Sequence, residues 1–350
     1  MSSSSSSSRS DWLVTLLLSR LSFHFPYTLS VGSVDFVFSS KGIPRESSTA
    51  TEAVRRSALS WGIEADLGRL PRASVIVKDS LRQEAFETAY ERIHEALDVL
   101  KLTFHSFGRV GQTELGRFSS VDVGYMQDLA TKEYTPIENE RAADTPVFGL
   151  QDLEPGLMFF RCLLAPEHAR SELEGQLLRA LKWKRRAELD GKTSDALLFY
   201  WLGIESLAKL TKADKSGLVL SRALLTLGFL GGRISEGLPE TTRSALSAIP
   251  GYRNAATVLK RRLYGVVKIR DAIVHEGHAE LDVSHITPGT SVTQHLSLLG
   301  RCTAQLSWST ATAIGLGYST RKDMWQDAAR VVASLRPLER IAQTTIETVL

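Results

Sequence analysis

The spacing of apolar residues changes character near residue 160. Upstream, short runs of apolar and β-branched residues are broken by Gly, Pro and Asp. Downstream of Pro166, apolar residues recur every three or four positions over long stretches. The first texture predicts strands joined by turns, the second amphipathic helices. A boundary at 155–166 follows. It separates a mixed α/β-strand domain over 1–165 from an all-α domain over 166–350, so the fold class is α+β.

In the first domain, "WLVTLLL" is too short to span a membrane and predicts a buried strand. The serine run before it predicts a disordered tail. A signal peptide is disfavoured by the weakly basic flank and the lack of an A-x-A cleavage site. "LSFHFPYTLSVGSVDFVFSS" predicts paired strands, and "ASVIVKD" and "VDVGYM" predict further ones; "GLMFFRCLL" is another short apolar segment. "SLRQEAFETAYERIHEALDVLKL" predicts one long helix, with Leu81, Phe86, Ala89, Ile93, Ala96 and Leu97 on its apolar face.

In the second domain, "PEHARSELEGQLLRALKWKRRAEL" predicts a helix opened by Pro166. "SDALLFYWLGIESLAKLTK" is apolar almost all round and predicts a central position in a bundle. Helical spacing continues through "GLVLSRALLTLGFL", "TTRSALSAI", "AATVLKRRLYGVVKIRDAIVHEG", "SVTQHLSLLGRCTAQLSWSTATAIGL" and "DMWQDAARVVASL".

Composition changes this picture little. The chain has 350 residues, a net charge of +3, 43% hydrophobic and 23% charged residues, ordinary values for a water-soluble chain of about two domains. Bulk charge therefore identifies no partner. The two cysteines, Cys162 and Cys302, form no C-x-x-C motif, which predicts a reduced, cytoplasmic setting.

Several motif matches fail on chemistry. "GQTELGRF" carries Arg117 and Phe118 where a phosphate-binding loop needs Lys and Ser/Thr. "GFLGGR" lies between helices rather than after a strand, so it is no dinucleotide fingerprint. His275 and His278 straddle Gly277 and recommend no metal site. Neither a cofactor nor a metal is expected.

The informative stretch is "KIRDAIVHEGH", residues 268–278. At about 100° per residue, Leu259, Leu263, Val266, Ile273 and Val274 form a core-facing stripe, and Arg270 projects from its middle. A guanidinium there needs a carboxylate partner or a cleft, because desolvating an unpaired charge costs several kcal/mol. On an ideal helix His275 lies about 140° from Arg270, on the face of Arg261 and Lys268, with Asp271 one turn before it. From Gly251 to Arg270 there are six Lys or Arg and no Asp or Glu. Such a stripe, with Arg261, Arg262 and Lys268 as phosphate contacts, suits a nucleic-acid backbone. Gly277 predicts the helix stop, and a helix C-terminus and Asp271 both favour the charged imidazole. A histidine that moves protons beside a permanent cation suits metal-free RNA cleavage. The plainer reading is that His275 caps the helix, Asp271 pairs with it, and Arg270 bridges to another helix.

"LYGVVKIRDAIVHEG", preceded by "LLFYWLGIESLAKL", resembles the HEPN superfamily, and Apea-like HEPN domains in particular, over roughly 166–345. The resemblance implies an all-α bundle carrying the R-x(4–6)-H motif, here Arg270 and His275. It implies a metal-independent endoribonuclease with RNA as substrate, of the toxin or anti-phage defence kind. It also implies a homodimer whose two motifs form one composite site. The residue after the arginine is often Asn in that family and is Asp271 here. Aspartate repels phosphate, but it can orient His275 or hold Arg270. Glu205 is either a partner of Arg270 or solvent-facing. Gly277 stands where some HEPN toxins carry a modified Tyr, which argues against a nucleotidyltransferase antitoxin. The N-terminal domain is expected to sense a protein or phage trigger or to recruit a partner. The alternative is a HEPN scaffold that binds RNA or a protein without cutting.

Overall fold

Strand β1 (Ser10–Leu17) runs through the interior of a six-stranded antiparallel sheet whose order is β2 (Thr28–Val31), β3 (Val34–Val37), β4 (Arg72–Ser80), β1, β6 (Gly124–Asp128) and β7 (Tyr134–Pro136). The computed structural model describes residues 9–18, 28–37, 48–60, 72–106, 119–120, 123–137, 143–144, 163–165, 167–190, 194–230, 238–276, 290–335 and 337–349. Among these lie a mixed α+β arrangement, with the sheet in the N-terminal half, and eleven helices that dominate the rest. The chain divides into two compact units, Met1–His168 and Ala169–Leu350.

In the first unit, the apolar run becomes β1 because both its edges are covered. It pairs with β4 (Arg72–Ser80) on one side and β6 (Gly124–Asp128) on the other, and Val14, Leu16 and Leu17 are buried. Strands β2 (Thr28–Val31) and β3 (Val34–Val37) form a hairpin with a two-residue turn. Its first turn residue, Gly32, has φ 61°, and a Cβ there would meet the Leu164 carbonyl oxygen at 2.4 Å. Glycine is the residue that fits such a turn. β7 (Tyr134–Pro136) ends the sheet, and β5 (Ser119–Ser120) pairs separately with β8 (Ala143–Asp144).

Helix α1 (Ser48–Ser60) packs small residues, Ala50, Ala53, Val54 and Ala58, against Leu17, Val123 and Tyr125. Ser57 ties it to the sheet, donating to the Ile137 carbonyl and accepting from the Gly124 N–H at 3.3 Å. Helix α2 (Arg82–Ser106) lies on β4 and β1 and buries Ala85, Ala89, Ile93, Ala96 and Leu97. Leu81 precedes this helix, and Phe86 is only half-buried. The region of "GLMFFRCLL" before Leu163 lies outside the described residues, as do residues 1–8.

The second unit is helical: α3 (Glu172–Asp190), α4 (Ser194–Ala208), α5 (Ser216–Thr226), α6 (Glu240–Ser247), α7 (Tyr252–Asp271), α8 (Val292–Gly315), α9 (Arg321–Gln326), α10 (Ala328–Leu335) and α11 (Leu338–Val349). Helix α3 starts at Glu172, not at Pro166. Ser171 accepts from the Glu174 N–H at 3.3 Å, and Glu174 reaches back to the Ser171 N–H at 2.6 Å, a capping box. The α4 helix packs against α3, α5, α7 and α8, and Trp201, Ile204 and Leu207 are wholly buried. "DMWQDAARVVASL" is two helices, α9 and α10, which break at Asp327; its carboxylate accepts from the Tyr318 hydroxyl. Among the described residues, no helix is long and apolar enough to cross a membrane.

Candidate functional site

Helix α7 positions the candidate residues. Gly251, with φ 78°, starts it, and Tyr252, Ala255, Leu259, Leu263, Val266 and Ile269 bury one face. After Asp271 the helix widens into a π-helical turn, Ala272–Glu276. An i→i+5 turn holds more residues than an α turn, so the apolar stripe loses phase there. That corrects one expectation: Ile273 packs on the core, but Val274 is 53% exposed. The same widening narrows the angle about the axis between positions 270 and 275 below the about 140° of an ideal α-helix. The backbone of position 275 lies inside this turn. The His275 side chain and the stop expected at Gly277 lie outside the described residues.

Arg270 sits at the rim of the core with its side chain 21% exposed. Its Nη2 donates to Glu205 Oε1 at 3.2 Å, and its Nη1 donates to Asp271 Oδ1 at 2.6 Å. Its guanidinium carbon lies 5.7 Å from the centroid of the Trp201 ring. Glu205 comes from α4, one turn after Trp201, and Lys209 Nζ stands 3.5 Å from the same Oε1. Two cations and two carboxylates thus alternate, Lys209–Glu205–Arg270–Asp271. The pairing offsets the desolvation that Arg270 incurs on the stripe. Glu205 is therefore a partner of Arg270 rather than a solvent-facing residue. Asp271, with its side chain 47% exposed, holds the guanidinium.

Trp201 and Lys209 were not singled out in the sequence. Their i, i+4 spacing around Glu205 is the signal that points to them. The Trp201 Nε1 is buried and finds no hydrogen-bond partner among the described residues.

The expected phosphate contacts separate. Arg261 and Lys268 are exposed. Arg262 is half-buried at the edge of the apolar stripe, about 60° from Leu259. Its charge bears on His295 of α8: burial first, and then Arg262, push that imidazole down to about 4. Arg262 thus also faces α8, unlike the exposed Arg261 and Lys268. Cys302, also on α8, is fully buried, and burial pushes its thiol up to about 12, so it is inert at neutral pH. Among the described residues, no group of three or more His, Cys, Asp or Glu comes together as a metal-binding cluster.

No family model, curated protein or solved structure matches the chain.

Proposed function

We propose that the C-terminal unit is a HEPN-type endoribonuclease that cuts RNA by attack of the ribose 2′-oxygen, with Arg270 and His275 as its working pair. The observation that supports this reading is the setting of Arg270. The guanidinium is fixed by Glu205 and Asp271 yet one-fifth open to solvent, and one residue separates Arg270 from a π-turn that includes position 275. Such turns are frequent at functional sites.

The step balances without a metal. A base takes the 2′-hydroxyl proton while the oxygen bonds to phosphorus. The bond from phosphorus to the 5′-oxygen breaks, and an acid protonates that oxygen. The products are a 2′,3′-cyclic phosphate and a 5′-hydroxyl. His275 carries one proton transfer, and His275 of a second copy carries the other, so the active species is a homodimer. Arg270 stabilises charge on the phosphate oxygens. The N-terminal unit receives a protein or phage trigger; growth arrest on expression without infection would contradict that role.

Incubation of the pure protein with RNA in EDTA tests the chemistry. Cyclic-phosphate ends on RNA, uncut DNA, and sedimentation as a dimer are expected. Activity that EDTA abolishes and magnesium restores would contradict it.

A scaffold that binds RNA or a protein without cutting is favoured by one observation. Asp271 neutralises the guanidinium at 2.6 Å and would repel an incoming phosphate. Phosphate must displace that contact for Arg270 to act.

A further inference from the structure

On the solvent side of α7, one aromatic residue stands among cations. Tyr264 is 54% exposed, and Lys260, Arg261 and Lys268 lie four before, three before and four after it. At those spacings side chains are neighbours on a helix surface, about 5–6 Å apart at Cβ. All three cations are exposed. None of them makes an ion pair among the described residues, whereas Arg243, Arg270 and Arg321 in the same unit all do. No acid occurs between Gly251 and Arg270, and the next residue, Asp271, three after Lys268, pairs with Arg270.

The ring also has a neighbour on another helix. Its hydroxyl lies beside Gly217 of α5, 3.5 Å from where a Cβ on that glycine would stand. The hydroxyl end of the ring thus approaches the neighbouring helix, while the residue stays more than half exposed. A single exposed apolar residue needs no explanation by itself. An exposed aromatic ring within a cationic stripe is an arrangement that holds single-stranded nucleic acid, with bases on the ring and phosphates on the cations.

We infer that Tyr264 is a base-stacking platform, and that the α7 solvent face positions a single-stranded RNA segment through Lys260, Arg261 and Lys268. This rests on the reading of α7 as part of an RNA-handling unit, and it goes beyond that reading in naming the strand state and the positioning residue. In a duplex both faces of each base are already stacked, so the ring gains nothing from paired RNA. Discrimination between single and double strands therefore resides in Tyr264, while the cations serve both.

The test uses the full chain carrying His275→Ala, so that the probe is not cut. Binding is measured by fluorescence anisotropy to an unstructured RNA of about 12 nucleotides and to a duplex of the same length, with poly-glutamate as competitor. Tyr264→Ala should weaken single-strand binding about tenfold, the loss of one base stack. Duplex binding should be unchanged. The salt slope should also be unchanged, because the ring touches no phosphate. Tyr264→Phe and Tyr264→Trp should restore single-strand affinity, and they keep the question open to test even if the alanine variant melts early. The inference is overturned if Tyr264→Ala binds the single strand normally, if it weakens both RNAs alike, or if no RNA binds. It is also overturned if poly-glutamate displaces RNA and depends on Tyr264 equally, which marks the stripe as a docking face for an acidic protein. Tyr264-dependent binding by a chain that never cleaves RNA sinks the nuclease reading alone. Cleavage that needs His275 but ignores Tyr264 sinks this inference alone.

Discussion

Two regions of the helical unit are built from the same parts and differ in closure. Arg222 on α5 donates to Asp214 at 2.6 Å and to the Ala208 carbonyl, with its guanidinium carbon 5.7 Å from the Trp325 ring centroid. Arg270 donates to Glu205 at 3.2 Å, over Trp201 at the same 5.7 Å. The side chains of Arg222 and Asp214 are only 7% and 11% exposed. Asp214 also accepts from the Leu210 N–H at 3.0 Å and the Thr211 hydroxyl at 2.8 Å. Those of Arg270 and Glu205 are 21% and 19% exposed, and Asp271 beside them is about half open. An arginine in a core is thus not by itself a sign of function. The closed site is a structural lock between α5 and the segment after α4. The open one has the same anchoring and an accessible edge.

The largest effect should follow from breaking the lock. Arg222→Ala strands Asp214 in a nearly dry site and should lower unfolding stability by about 3–5 kcal/mol, read by urea denaturation. Arg270→Ala should cost less, about 1–2 kcal/mol, because Glu205 keeps Lys209 and some solvent. The same variant should lose about 10²–10³-fold in RNA cleavage, the size of a lost charge-stabilising donor. Equal stability losses in the two variants would erase the distinction.

Acid should also separate them. Burial alone would raise the Asp214 pKa. The Arg222 hydrogen bond, the Leu210 N–H, the Thr211 hydroxyl and the Arg222 charge overcome this and hold it at about 2, against an ordinary 3.8. The unfolded carboxyl therefore takes up its proton first as pH falls. The stabilisation is complete above about pH 4 and drains away toward about pH 2. The stability gap between the wild type and Arg222→Met should shrink across that window in acid denaturation curves; a constant gap would show that Asp214 is not held by Arg222. The smallest effect should come from Lys268→Ala. This variant should bind RNA a few-fold more weakly, with the log–log salt slope reduced by about one, and melt normally.

Parts of this were legible in the sequence for physical reasons. Trp12–Leu18 reads as a strand because an apolar run that short has few other ways to be buried. The central place of α4 follows from apolar residues all round it. Arg270 stood out because a cation on an apolar stripe demands a partner, and Glu205 was among the candidates. Other features left weaker traces. Helix α1 buries alanines, which give little amphipathic contrast. Helix α11 buries Leu338, Ile341 and Ala342, an apolar pattern too short to stand out. The π-turn shifts the phase of one helix without any residue that announces it, so Val274 was placed on the wrong face. Charge pattern does not tell an exposed cation such as Arg261 from a half-buried one near α8 such as Arg262.

The central claim is that the open arginine works together with position 275, and comparing RNA cleavage and melting of His275→Ala with those of wild type tests it most directly. An unchanged melting temperature and a rate about 10²–10⁴-fold lower, the usual cost of losing a positioned proton carrier, are expected. Cleavage at the wild-type rate would contradict the catalytic assignment and leave a binding scaffold, whereas a melt far below wild type would make His275 part of the core.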